Sequence, residues 1–234
     1  MNKKSTRNQG FTLLELLIVI AIIAILSVIL VLVLDPAETL KKSRDSQRMS
    51  DLSTLKTALG LYSTSVTAPL MDGVDNSGCK ASSTAAYIAG DKIYYSISSD
   101  APGKALSGDT TLDGGSATVA AGQVTNANLA LTTGAGWLPV NLSVLPGGSP
   151  ISNLPIDPVN TVASGSSVLN TDLVYRYACA ANTLKYEIAA KLESNAYTVD
   201  DNKMTKDGGN SALYYEVGTD LSILGAGGST ALDF

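Results

Sequence analysis

The chain has 234 residues, enough for one or two domains, with 45% apolar and 16% charged side chains, the latter well below the roughly 25% of an average soluble domain. Its 16 Lys and Arg against 21 Asp and Glu give a net charge of −5, which lacks the basic excess that drives binding to phosphate backbones. No His occurs, so the usual general acid–base side chain and commonest zinc ligand is missing, and with it triads, zincins and most metalloenzymes.

The first ten residues, MNKKSTRNQG, are polar and carry Lys3, Lys4 and Arg7, as the leading region of an export signal does. Phe11 to Leu34 follows, 24 residues whose single charge is Glu15. As a helix this run is about 36 Å long, enough to cross a hydrocarbon core of about 30 Å. It ends in Leu34-Asp35-Pro36 with no small-residue cleavage pattern, so removal after the apolar run is not expected. Lys3, Lys4 and Arg7 on one flank nearly balance Lys41, Lys42, Arg44 and Arg48 on the other, and the positive-inside count leaves orientation undecided.

Glu15 is the anomaly. A carboxylate five residues into a membrane helix is costly by a few kcal/mol and usually marks function, unless it sits within reach of the headgroups. The string Gly10-Phe11-Thr12-Leu13-Leu14-Glu15, behind a short basic leader and ahead of an unbroken apolar run, resembles the class III signal of type IV pilins and type II secretion pseudopilins. The resemblance implies cleavage by a membrane-embedded prepilin peptidase between Gly10 and Phe11 and N-methylation of Phe11. It also implies that Glu15 pairs with the N-terminal amine of an adjacent subunit in a filament. The physics agrees, because a positive amine held in an apolar bundle is far less costly when a countercharge meets it.

Asp35-Pro36-Ala37-Glu38 reads as a helix start, with Asp35 as N-cap, Pro36 at the first helical position and Glu38 placed like a capping-box acid. A kink or short break is therefore expected near Asp35. From Leu40 to Tyr62 the pattern is amphipathic: Leu52, Leu55, Leu59 and Tyr62 recur at helical spacing. The charges from Lys41 to Arg48 read as a solvated helix face or headgroup contact, or alternatively as an intersubunit contact. The expected organisation is a leader 1–10, a transmembrane helix 11–34, an amphipathic continuation 35–62 and an extracytoplasmic head 63–234.

The head holds 8 Lys and Arg against 16 Asp and Glu from Thr64 onward, a formal charge of −8 that suits a solvated surface. Residues 101–135 are rich in Gly, Ala, Ser and Thr and predict a long irregular insertion. Leu173 to Cys179 and Leu184 to Leu192, flanking Ala180 to Thr183, predict a β-hairpin. Leu184, Tyr186, Ile188, Ala190 and Leu192 point to one side, so that face should cover the helix. Lys185, Glu187, Ala189, Lys191 and Glu193 point to the other, which should meet solvent. The expected fold class is α+β, a long helical spine packed on a small antiparallel sheet. Leu154-Pro155-Ile156-Asp157-Pro158, with the later Tyr175-Arg176-Tyr177, resembles a region of major pseudopilins.

Cys79 and Cys179, on the exported side of this reading, are expected either to be joined or to be two separate, partly buried thiols. Asp200, Asp201, Asn202, Asp207 and Asn210 form an oxygen-rich loop, and major pseudopilins bind calcium in a C-terminal loop. The spacing lacks the EF-hand pattern, so calcium stands beside a plain solvated turn as a second reading. Gly225-Ala226-Gly227-Gly228 fits no dinucleotide-binding spacing, and no P-loop string occurs. Most of the ten tyrosines fall in strand patterns and read as packing residues, not as a nucleic-acid platform.

The expectation is thus a non-enzymatic filament subunit, made as a single-pass membrane precursor with an extracytoplasmic head. Its implied partners are prepilin peptidase, other pilin-like subunits, the inner-membrane assembly platform with its ATPase, and membrane lipid before assembly. No direct nucleic-acid contact is expected. The alternative is a minor pilin or tethered binding module for DNA uptake or adhesion.

Overall fold

A computed structural model describes residues 10–99, 120–163 and 167–225. The chain divides into two compact units, Met1–Leu40 and Lys41–Phe234. Helix α1 spans Leu13–Leu34 and α2 spans Pro36–Ser65. Between them Asp35 leaves the helical conformation, with φ 33° and ψ 77°. Its carboxylate accepts from the backbone N–H of Glu38 at 3.3 Å, the cap expected of an Asp ahead of a Pro that has no N–H of its own.

Every α1 side chain whose exposure is described lies open, whereas α2 buries Leu52, Leu55, Ala58, Leu59 and Tyr62 along one stripe. That stripe meets a sheet of five strands, β1 (Lys92–Ser98), β2 (Ala120–Val124), β3 (Tyr175–Ala180), β4 (Lys185–Ala190) and β5 (Tyr215–Gly218), in the order β2-β1-β3-β4-β5. The α+β class stands. Pairs β1–β3, β3–β4 and β4–β5 are antiparallel as expected, but β1–β2 is parallel, so the sheet is mixed. The connection from Ser98 to Ala120 exceeds the dozen or so residues that a parallel crossover needs. β2 also places a strand inside the stretch read as wholly irregular; residues 100–119 of that stretch lie outside the described residues.

The hairpin forms with Tyr177 opposite Ile188 and Cys179 opposite Tyr186. Leu184, read as the first residue of the second strand, instead takes a left-handed φ of 51° and closes the turn. Tyr175, Tyr177, Tyr186, Ile188 and Ala190 pack on α2 with Trp137, Leu138 and Leu154. The opposite face corrects the expectation of a solvated surface. Ile93, Tyr95, Ala178 and Ala189 are covered there by Tyr87, Val162, Val168, Tyr214, Ile223 and Leu224, in segments without regular structure. Arg176 and Glu187, on that face, are fully buried. The sheet is therefore a middle layer with an apolar cluster on each side.

Cys79 and Cys179 are joined, with their Cα atoms 4.7 Å apart and a sequence separation of 100. Beside the bond, Lys80 N–H donates to the Cys179 carbonyl at 2.9 Å and Ala181 N–H to the Lys80 carbonyl at 2.8 Å. The segment after α2 is thus sewn to the end of β3 by one covalent and two hydrogen bonds.

Candidate processing and assembly site

Gly10 and Phe11 stand just before the first turn of α1, both exposed. An added Cβ at Gly10 would meet nothing within 4 Å, so the glycine is not required by the fold around it. Thr12, at φ −81° and ψ 147°, is the N-cap of α1. Its hydroxyl accepts from the Glu15 N–H at 3.2 Å, while Glu15 Oε2 accepts from the Thr12 N–H and the Thr12 hydroxyl, each at 2.9 Å. This reciprocal box satisfies donors that every helix start leaves open and puts a carboxylate at the positive end of the helix dipole. Both bonds go to Oε2, so no donor among the described residues reaches Oε1.

The sequence reading singled out Gly10, Phe11 and Glu15 and overlooked Thr12. Its signal was present, a Thr followed three residues later by Glu immediately ahead of an apolar run. The other polar side chain of α1, Ser27, donates to the Ile23 carbonyl at 2.7 Å. Ser27 is thus satisfied by the helix backbone, as residence in hydrocarbon requires, and Glu15 by the first turn through one of its two carboxylate oxygens. With 22 residues, α1 is about 33 Å long and apolar enough to cross a bilayer.

On α2, Asp45 and Arg48 turn inward with Arg44 beside them, which corrects the reading of the cluster as a solvated face or headgroup contact. Arg48 is fully buried and clamps Asp157 in bidentate fashion, Nε to Oδ2 at 2.7 Å and NH2 to Oδ1 at 2.9 Å. Its NH1 donates to Asp45 at 2.8 Å and to Glu193 at 2.7 Å, and Arg44 donates to Glu193 at 2.8 Å. Asp45 also accepts from the N–H groups of Glu193 and Ser194. Burial alone would push Arg48 down, but the bonds and charge of Asp157, with those of Glu193 and Asp45, hold it above its ordinary value. Burial likewise works against the Glu193 carboxylate, yet Arg44 and Arg48 keep it below its ordinary value. The Asp of the Leu-Pro-Ile-Asp-Pro string therefore acts as the socket for a spine arginine.

The residues weighed for calcium run from Asp200, the last residue of the helical turn Ala196–Asp200, to Asn210 ahead of β5. Asp201 pairs with Lys203 and with Lys206, the latter at 2.7 Å, and these bonds lower its pKa. Asn202 Oδ1 accepts from the N–H groups of Met204 and Thr205. Asp207 accepts from Gly209 N–H at 2.9 Å and Glu216 N–H at 2.7 Å. Among the described residues, no three His, Cys, Asp or Glu side chains gather as a metal cage requires.

Residues 5–31 match the family model described as the prokaryotic N-terminal methylation motif. No curated protein and no solved structure matches the chain. The motif implies processing by prepilin peptidase and assembly with other pilin subunits, and the exposed apolar helix fits a membrane-anchored precursor. The matched motif, carried at the head of a long N-terminal helix, supports the type IV pilin-like family and indicates a pilin- or pseudopilin-like precursor.

Proposed function

We propose that the chain is a filament subunit of a type IV pilus or of a type II secretion pseudopilus. It is inserted with residues 1–10 in the cytoplasm, cut between Gly10 and Phe11, N-methylated on Phe11, and polymerised by packing of α1 against α1 of other copies. The observation that carries this reading is α1 itself, exposed at every side chain whose exposure is described and carrying in its first turn a carboxylate ready for a donor. Lipid covers such a helix in the precursor, and sister helices cover it in a polymer. The Thr12 box holds Glu15 Oε2, and Oε1 receives the Phe11 amine of a neighbour. An inner-membrane platform and its ATPase drive the transfer.

The joined cysteines support the orientation that charge counting left undecided, since disulfides persist in oxidising compartments. In this reading the head is extracytoplasmic, and residues 11–34 form the membrane anchor.

Mass spectrometry of subunits in purified filaments tests the proposal. Chains beginning at N-methylated Phe11 are expected; assembled fibres that retain residues 1–10, or a chain that never enters a polymer, refute it. Glu15→Ala should insert normally and fail to be incorporated.

A further inference from the structure

Across β4 and β5, Glu187 stands opposite Gly218 and Ala189 opposite Glu216. Glu187 and Glu216 are thus diagonal neighbours on the sheet face turned away from α2, where Glu187 is 0% and Glu216 2% exposed. Their carboxyls lie buried side by side on neighbouring strands. Glu187 Oε2 accepts from the Leu224 N–H at 2.8 Å, and Glu216 Oε2 accepts from the Ser211 N–H at 2.9 Å. Glu187 Oε1 is buried and meets no donor. A Cβ on Gly209 would collide with the Glu216 carboxyl, so the loop backbone closes directly over Glu216.

Among the described residues no Lys or Arg forms an ion pair with either carboxyl. Lys80, from the segment ahead of β1, gives its Nζ to the carbonyls of Ser83 at 2.9 Å and Ile223 at 2.8 Å and lies 4.6 Å from the Tyr87 ring centroid. Its charge favours ionised Glu187, while burial lowers its own pKa. Arg176, on β3, donates to the carbonyls of Val174 and Leu169 and lies 4.4 Å from the Tyr214 ring, over which Lys191 also sits at 5.9 Å. Asp91 ahead of β1 and Asp207 ahead of β5 add negative charge, and Asp220 after β5 pairs with Lys185. Two ionised carboxylates are both acceptors and cannot bond to each other.

We propose that Glu187 and Glu216 share one proton, forming an acid–carboxylate latch that fastens the two flanks of β5, at Ser211 and Leu224, to the β4–β5 pair and opens when that proton is lost to alkaline solvent. Ser211 N–H donates to Glu216 and Leu224 N–H to Glu187, and Lys80 and Tyr87 donate to the Ile223 carbonyl. Burial first, and then the neighbouring Glu187, push the Glu216 carboxyl from 4.5 up to about 10. The native head therefore holds one more proton than the unfolded chain between those values. The latch contributes fully below the ordinary carboxyl range and is lost as pH rises toward the raised value.

The test uses the full chain in detergent micelles, unfolded by urea from about pH 5 to about pH 10. The wild-type unfolding constant should rise by up to roughly tenfold per pH unit through the neutral and alkaline range. Glu216→Gln, whose amide replaces the shared proton permanently, should remove most of that rise. The wild type should also show at neutral pH an infrared carboxylic-acid C=O band that Glu216→Gln lacks. Parallel pH profiles in the two proteins, or absence of that band from the wild type, overturn the proposal. If Glu216→Gln does not fold, Glu187→Gln and the wild-type spectrum decide in the same way. A wild-type profile flattened by added calcium would show that a cation, and not a proton, joins the pair, and would also overturn it.

Discussion

Helix α1 carries two polar side chains and satisfies both locally, Glu15 through Thr12 three residues away and Ser27 through a carbonyl four residues back. The head does the opposite: Arg48 finds Asp157 across 109 residues and Glu193 across 145. Local satisfaction lets a helix exchange one apolar surrounding for another without breaking any polar contact. Long-range satisfaction ties a group to one tertiary arrangement, because each buried charge costs several kcal/mol if its partners move away. Changes in the first region should accordingly alter processing and assembly while sparing head stability, and changes in the second should do the reverse.

The sharpest separation is expected from Gly10→Val. Among the described residues nothing lies within 4 Å of an added Cβ at Gly10, so loss of cleavage would report the peptidase and not the fold. The intact leader should persist by mass spectrometry, with the head melting as in the wild type. Next is Cys79→Ala with Cys179→Ala, which should cost the head roughly 4–5 kcal/mol by the chain-entropy estimate for a loop of about 100 residues. Membrane insertion should be unchanged. Arg48→Met leaves three carboxylates facing one another and should cost about 3–5 kcal/mol in urea unfolding. A fall in insertion with intact head stability would break the comparison.

Acid offers a subtler test. Glu193 has its pKa lowered in the native head, so the stability it contributes is present above the ordinary carboxyl range and is lost as pH falls through the lowered value. Glu193→Gln should weaken acid unfolding of the head, measured by intrinsic fluorescence of Trp137. The smallest effect is expected from Ser27→Ala. Its hydroxyl bonds only within its own helix, and insertion and assembly should match the wild type, with any shift within about 0.5 kcal/mol.

What could be read from the sequence was whatever repeats or caps locally. The unbroken apolar run gave α1, Asp35 and Pro36 gave the interruption, and the alternation of Tyr186, Ile188 and Ala190 gave the face that meets α2. The same alternation misled for Glu187 and Ala189. Their cover comes from Val162, Val168, Ile223 and Leu224, short apolar residues in irregular segments that carry no period. Likewise Arg44, Asp45 and Arg48 look like an ordinary wet helix face, since nothing local announces a partner more than a hundred residues away. At the N-terminus, the methylation motif was legible because a short string holds it, and Thr12 could have been found by its spacing to Glu15.

The bond between Cys79 and Cys179 also makes the head a closed ring with two tails. A protease that severs the backbone once anywhere between those positions yields two pieces that still travel together on a gel until a reductant is added. A single break within that span therefore sheds no fragment from the head, whereas a cut beyond residue 179 releases whatever follows it unless packing alone retains the fragment.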